Sequence, residues 1–74
     1  MKLKIKRVTL NSPIFDEIVF EVGSYVVMCG VTIPIHEIEF PETEMICKTL
    51  INGKLEKTIC LNEKIGKWKI EYEN

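Results

Sequence analysis

The stretch Ile46-Cys47-Lys48-Thr49-Leu50-Ile51-Asn52-Gly53-Lys54-Leu55-Glu56-Lys57-Thr58-Ile59 decides the fold class. Asn52-Gly53 stands between two alternating runs. Both residues tolerate positive φ, so the pair is the favoured two-residue turn of a β-hairpin. Such a turn sets Ile51 opposite Lys54, Leu50 opposite Leu55 and Ile46 opposite Ile59. Leu50, Leu55, Ile46 and Ile59 then share one face with Lys48 and Lys57, which lie opposite each other. Like charges so placed are mildly unfavourable unless an acid or an anion sits between them. On the other face Cys47 falls opposite Thr58, making Cys47 and Cys60 diagonal neighbours and a poor disulfide pair.

Period two recurs on both sides of this hairpin. In Lys2-Leu3-Lys4-Ile5-Lys6 the lysines face one way and Leu3 and Ile5 the other, before Asn11-Ser12-Pro13 punctuates the chain. From Ile14 to Val22, the residues Ile14, Ile18, Phe20 and Val22 share a face, with Glu17 and Glu21 opposite. Asp16 interrupts that face, so a bulge or the true start of the strand is expected there. Gly23-Ser24 makes a tight turn. Tyr25 to Ile33 is apolar on both faces and reads as one central strand covered on both sides or a strand closing a small barrel, with Gly30 marking a bulge or a bend. His36, Ile38 and Phe40 alternate with Glu37 and Glu39, and Pro41-Glu42-Thr43 ends that run. After a turn from Asn62 to Gly66, Trp68, Ile70 and Tyr72 point one way and Lys67, Lys69 and Glu71 the other. No window supports a helix beyond a single turn between Pro41 and Met45.

These patterns predict one all-β domain over residues 1–74: a small antiparallel barrel or compact sandwich of six to seven short strands, with little or no helix. It is comparable in size to SH3-like or OB-like barrels, a likeness of architecture that carries no function. Composition agrees. Of the 74 residues 46% are hydrophobic, dominated by Ile, Val and Leu, and Ala is absent. β-branched residues suit a pleated, half-buried surface, whereas Ala is the best helix former. No signal-peptide pattern follows the basic start, and the apolar run Tyr25 to Ile35 is too short to span a bilayer. A cytoplasmic location and no membrane partner are therefore expected. Cys29, Cys47 and Cys60 are odd in number and lack CxxC spacing, which predicts buried free thiols.

Charge is segregated, although the net charge is only −1. Residues 1–7 carry four basic groups and no acid, while Val8 to Cys47 carries seven acids and no Lys or Arg. Antiparallel pairing explains much of this: Lys2, Lys4 and Lys6 can lie beside Glu17, Glu21, Glu37 or Glu39 in a ladder, and lysines also guard an edge strand. The functional reading is an acidic strand face built from Glu17, Glu21, Glu37 and Glu39 that docks on another protein. Against it stands a single-stranded nucleic-acid site at Lys64, Lys67, Trp68 and Lys69, with an aromatic among basic residues. The acidic pI near 5.8 and the lack of an RNP-like motif weigh against that alternative.

Catalytic chemistry is thin. His36 is the lone histidine and shares an apolar-looking face with Ile38 and Phe40, so a core or rim role is expected. Glu37 and Glu39 point the same way about 7 Å apart, which superficially suits paired carboxylates but is commoner on a solvated strand. Cys29, His36, Cys47 and Cys60 are zinc-compatible ligand types without the closely spaced pairs of a structural site. No P-loop, GxGxxG or EF-hand pattern occurs. No cofactor and no metal are therefore expected. By exclusion the sequence predicts a non-enzymatic binding module whose partner is most simply another protein. Accessory subunits and phage or mobile-element inhibitors of a host factor are chains of this kind. Self-assembly through an exposed strand edge is the third possibility.

Overall fold

The computed structural model describes residues 3–73. Among them the strands are β1 (Ile5–Ser12), β2 (Asp16–Glu21), β3 (Tyr25–Met28), β4 (Val31–Pro34), β5 (Glu37–Glu39), β6 (Glu44–Ile51), β7 (Lys54–Asn62) and β8 (Lys67–Tyr72). One 3-10 turn, Glu63–Ile65, precedes β8, and Asn62 caps it by accepting from the Lys64 N–H at 2.8 Å. The all-β expectation holds, with eight strands in place of six or seven. They form three antiparallel sheets, ordered β2-β1-β8, β3-β4 and β5-β6-β7, and these do not close into a barrel.

β1 is the centre of the first sheet. From Val8 to Ser12 its even-numbered residues point inward, and the register sets Val8 between Phe20 and Ile70, and Leu10 between Ile18 and Trp68. Apolar rows three strands wide follow directly from period two. Lys6 is an extra residue: Ile5 pairs with Tyr72 but Arg7 pairs with Glu71, so Ile5 turns to the same side as Val8. On the outer face Arg7 lies between Glu21, at 2.5 Å, and Glu71, at 3.2 Å. The hydrogen bond to Glu21, then that to Glu71, raises the guanidinium pKa further. Of the N-terminal lysines read as partners for the acids, Lys2 lies outside the described residues; among the described residues neither Lys4 nor Lys6 forms an ion pair, and Glu21 is held by Arg7 and Glu39 by Lys48.

The third sheet corrects the hairpin register. Ile51–Lys54, Leu50–Leu55 and Lys48–Lys57 pair as expected, but Ile46 then pairs with Cys60 and Cys47 with Ile59. Thr58 is the additional residue, a bulge that no break in alternation announces. Its hydroxyl is not wasted. Thr49 donates to the Pro34 carbonyl at 2.6 Å, leaving its oxygen to accept from Thr58 at 2.8 Å. The bulge turns Ile59 inward beside Cys47 and leaves Leu50 and Leu55 exposed. Glu39 answers the opposed lysines by accepting from Lys48 Nζ at 3.0 Å.

Three further expectations change. Tyr25 to Ile33 is not one central strand: β3 and β4 form a hairpin about Cys29-Gly30, at φ of 53° and 76°. Both turn residues are left-handed, as a tight hairpin turn requires, but Cys occupies the place where Asn or Asp would signal it. β2 does start at Asp16, one of the two readings of the break there, so Ile14, expected on the same face as Ile18 and Phe20, lies instead in the preceding turn and is 73% exposed; Asp16 itself is at φ 59°. Pro41 to Thr43 holds no helical turn.

The two larger sheets turn their apolar faces on each other. Val8, Leu10, Phe20, Ile38, Met45, Cys47 and Ile59 meet there, joined by Val26 of the small hairpin and Ile35 beyond it. The molecule is flat, 35 × 35 × 19 Å. No helix among the described residues is long and apolar enough to cross a membrane.

Candidate functional site

Pleating places the four sequence-selected glutamates on two separate sheets. Glu17 is exposed on β2 opposite Asn11, and Glu21, four residues along the same face beyond Val19, is held by Arg7. Glu37 and Glu39 lie on β5, opposite Lys48 and Ile46 respectively, and Glu39 is held by Lys48. Glu37 makes no ion pair among the described residues. Two of the four carboxylates are therefore already engaged within the fold.

The basic cluster is divided by the same alternation. Lys67 and Lys69 face outward on β8, and Lys64 sits in the 3-10 turn. Trp68 points the other way, packed against the core. Its Nε1–H donates to the Glu63 carbonyl at 2.9 Å, and its ring meets Phe40 edge to face at a centroid distance of 5.5 Å. A base-stacking platform needs an open aromatic face flanked by cations on the same side. Trp68 is instead half-buried, with its polar handle spent on the backbone.

The thiols also part company, and the expectation that all three are buried fails. Cys47 is buried, with Sγ 3.3 Å from Met45 Sδ, and burial pushes its pKa up to about 12. Cys29 is exposed at the β3–β4 turn. Cys60 is exposed beyond the bulge and donates to Glu44 at 2.9 Å, an interaction that raises its pKa. A nucleophilic cysteine needs the opposite shift. His36 is exposed on the strand-to-strand connection rather than in the core. Cys29, His36, Cys47 and Cys60 do not converge, and no group of three metal-ligating side chains forms among the described residues. No buried polar side-chain atom lacks a partner among them either.

An open groove of about 1050 Å³ runs along the outer edge of β5 and the adjoining ends of β1 and β8. β5 is an edge strand, hydrogen-bonded to β6 on one side only, and β8 is an edge strand of the first sheet. Ile5, Val22, Ile38, Phe40 and Ile70 supply an apolar floor, with the more exposed Leu3 and Tyr72 beside it. Glu37, Glu39 and Glu73 rim it, against one ammonium, Lys4, with His36 nearby. The groove thus unites two of the sequence-selected acids with residues that sequence reasoning missed: Leu3, Lys4, Tyr72 and Glu73. These come from opposite ends of the chain, joined by the β1–β8 ladder and the Glu73 N–H to Lys4 carbonyl bond of 2.8 Å. No local pattern announces such a meeting. No protein-family model, curated protein or solved structure matches this chain.

Proposed function

We propose that this chain is a non-enzymatic protein-binding module that takes an extended segment of a partner protein into the groove along β5. The observation carrying this reading is an apolar floor beside an open strand edge, rimmed by three carboxylates and a single lysine. An extended peptide added to a free edge gains main-chain hydrogen bonds, while alternate side chains fill pockets that give specificity. Alternation selects the partner's chemistry: apolar residues toward Ile38 and Ile70, and basic residues toward Glu37 and Glu73. β5 supplies only three residues of edge, so the apolar floor carries most of the affinity and the rim charges tune encounter rate and salt dependence. The raised Cys60 pKa, the exposed His36, whose imidazole has no hydrogen-bond partner among the described residues, and the openness of the groove all favour binding over catalysis.

The test is a selection from a displayed library of random extended peptides, scored in parallel on the parent protein and two groove variants. Glu37→Lys/Glu73→Lys reverses the rim, and Leu3→Ser/Tyr72→Ser weakens the exposed part of the floor. The expected outcome is enrichment of peptides alternating apolar and basic residues, lost on both variants while their melting temperatures hold. Enrichment of acidic peptides, or of peptides that bind the variants equally well, overturns the reading, as does failure to enrich any sequence.

A further inference from the structure

The β3–β4 hairpin lies apart from the groove. From Ser24 to Ile35 it carries no charged residue, and it joins neither larger sheet. Val26 and Ile33 face the core, while Tyr25, Val27, Thr32 and Pro34 face outward. Tyr25, Val27 and the tip residue Val31 are 63%, 59% and 57% exposed. The edge strands of the two larger sheets carry guards: Glu17 and Glu21 on β2, Lys67 and Lys69 on β8, Glu37 and Glu39 on β5, Lys54 and Lys57 on β7. Charged residues on an edge prevent another strand from adding to it. β3 has none.

The two edges of the hairpin are not equivalent. A two-residue turn makes Met28–Val31 a hydrogen-bonded pair, and alternation then makes Val26–Ile33 the next. The N–H and C=O groups of Tyr25 and Val27 therefore point out from the β3 edge. Among the described residues, none of the backbone hydrogen bonds outside the ladders engages them. On the β4 edge the outward groups belong to Thr32 and Pro34, and proline has no N–H to offer.

We propose that β3 is a dimer interface, pairing antiparallel with β3 of a second copy of this chain about a two-fold axis through Val26. Only this register lets all the outward groups bond. Tyr25 of each copy lies opposite Val27 of the other, exchanging both hydrogen bonds in each pair, four in total. The two-fold keeps like faces together, so the outer surface gains two aromatic–β-branched cross-strand pairs. A second copy fits because the hairpin is uncharged: its own image meets no like-charge repulsion. The pairing edge is only four residues long, which places the interface at the small end of specific ones, so the dimer is concentration-dependent.

Sedimentation equilibrium across micromolar to millimolar protein, with amide hydrogen exchange at both ends of the range, tests this. Dimerisation is expected, with the Tyr25 and Val27 amides gaining protection as concentration rises. Val27→Lys places a guard on the exposed edge and is expected to weaken the dimer at least about tenfold while preserving the fold. Thr32→Lys, on the other strand, is expected to weaken it less. A monomer throughout the range overturns the proposal, and so does a dimer indifferent to Val27→Lys. Monomeric protein that co-sediments with phosphatidylcholine vesicles would assign the hairpin to a lipid surface instead. Because Glu37 and Glu73 lie elsewhere, the groove reading can fail without affecting this result.

Discussion

Gly66→Ala provides a sharp test of how β8 joins the core. Gly66 links the 3-10 turn to β8 in extended backbone, at φ 175°, which any residue can adopt. Conformation therefore does not require glycine there; space does. A methyl group at this position would lie 2.9 Å from Leu10 Cδ1 and 3.0 Å from Ser12 Cα, and nearer still to the Asn11 carbonyl oxygen. Leu10 is fully buried, and Asn11 is in register with both Glu17 and Lys67, so relieving the clash means shifting the central strand. Overpacking against well-ordered atoms costs about 1–3 kcal/mol, and a clash with backbone belongs at the upper end. A chain of this length has a total stability of roughly 4–11 kcal/mol. A loss of about 3 kcal/mol lowers the melting temperature by roughly 12–24 °C. Gly23→Ala is the control. At φ +88° it meets nothing within 4 Å, so it carries only backbone strain of about 1–2 kcal/mol. Thermal unfolding followed by circular dichroism should rank Gly66→Ala well below Gly23→Ala. Equal melting temperatures, or a Gly66→Ala variant within a few degrees of the parent, would refute the packing described for β1 and β8.

Cys47 makes stability fall in alkali. Its thiol stays neutral in the fold to about pH 12, whereas in the unfolded chain it ionises near 9. Below pH 9 both states hold the proton and nothing is lost; above it the fold weakens by about 1.4 kcal/mol per pH unit. Urea midpoints between pH 8 and pH 11 should show this slope, and Cys47→Ala should flatten it. Removing the Glu44 acceptor by Glu44→Ala should speed alkylation of Cys60 near neutral pH and leave the Cys29 rate unchanged, as measured by mass spectrometry. Trp68→Phe should cost about 1 kcal/mol for the lost bond to Glu63, and Trp68→Ala about 3–5 kcal/mol, read from denaturant unfolding.

Much of the fold is legible in the sequence because period two is a direct record of which face is wet. The Asn52-Gly53 turn, the outward lysines of β8 and the break at Asp16 all come from that record. What escapes it has identifiable causes. Thr58 keeps the apolar–polar alternation plausible on both sides of the bulge, so only the ladder reveals that Ile46 meets Cys60. At Cys29-Gly30, two residues turn the chain without a polar signal, and unbroken hydrophobicity disguises a hairpin as one buried strand. Glu37 and Glu39 could be picked out as acids on one face. That Leu3, Tyr72 and Glu73 join them depends on the β1–β8 pairing of the two chain ends, which no window of sequence contains.

The groove is best tested by titrating isotopically labelled protein with a heptapeptide alternating lysine and valine and following every backbone amide by NMR. The account predicts saturable shifts at Glu37–Phe40 and Ile70–Glu73, weakened by about 0.5 M salt and abolished by Glu37→Lys/Glu73→Lys. Shifts centred on another surface, or no change at millimolar peptide, would contradict it.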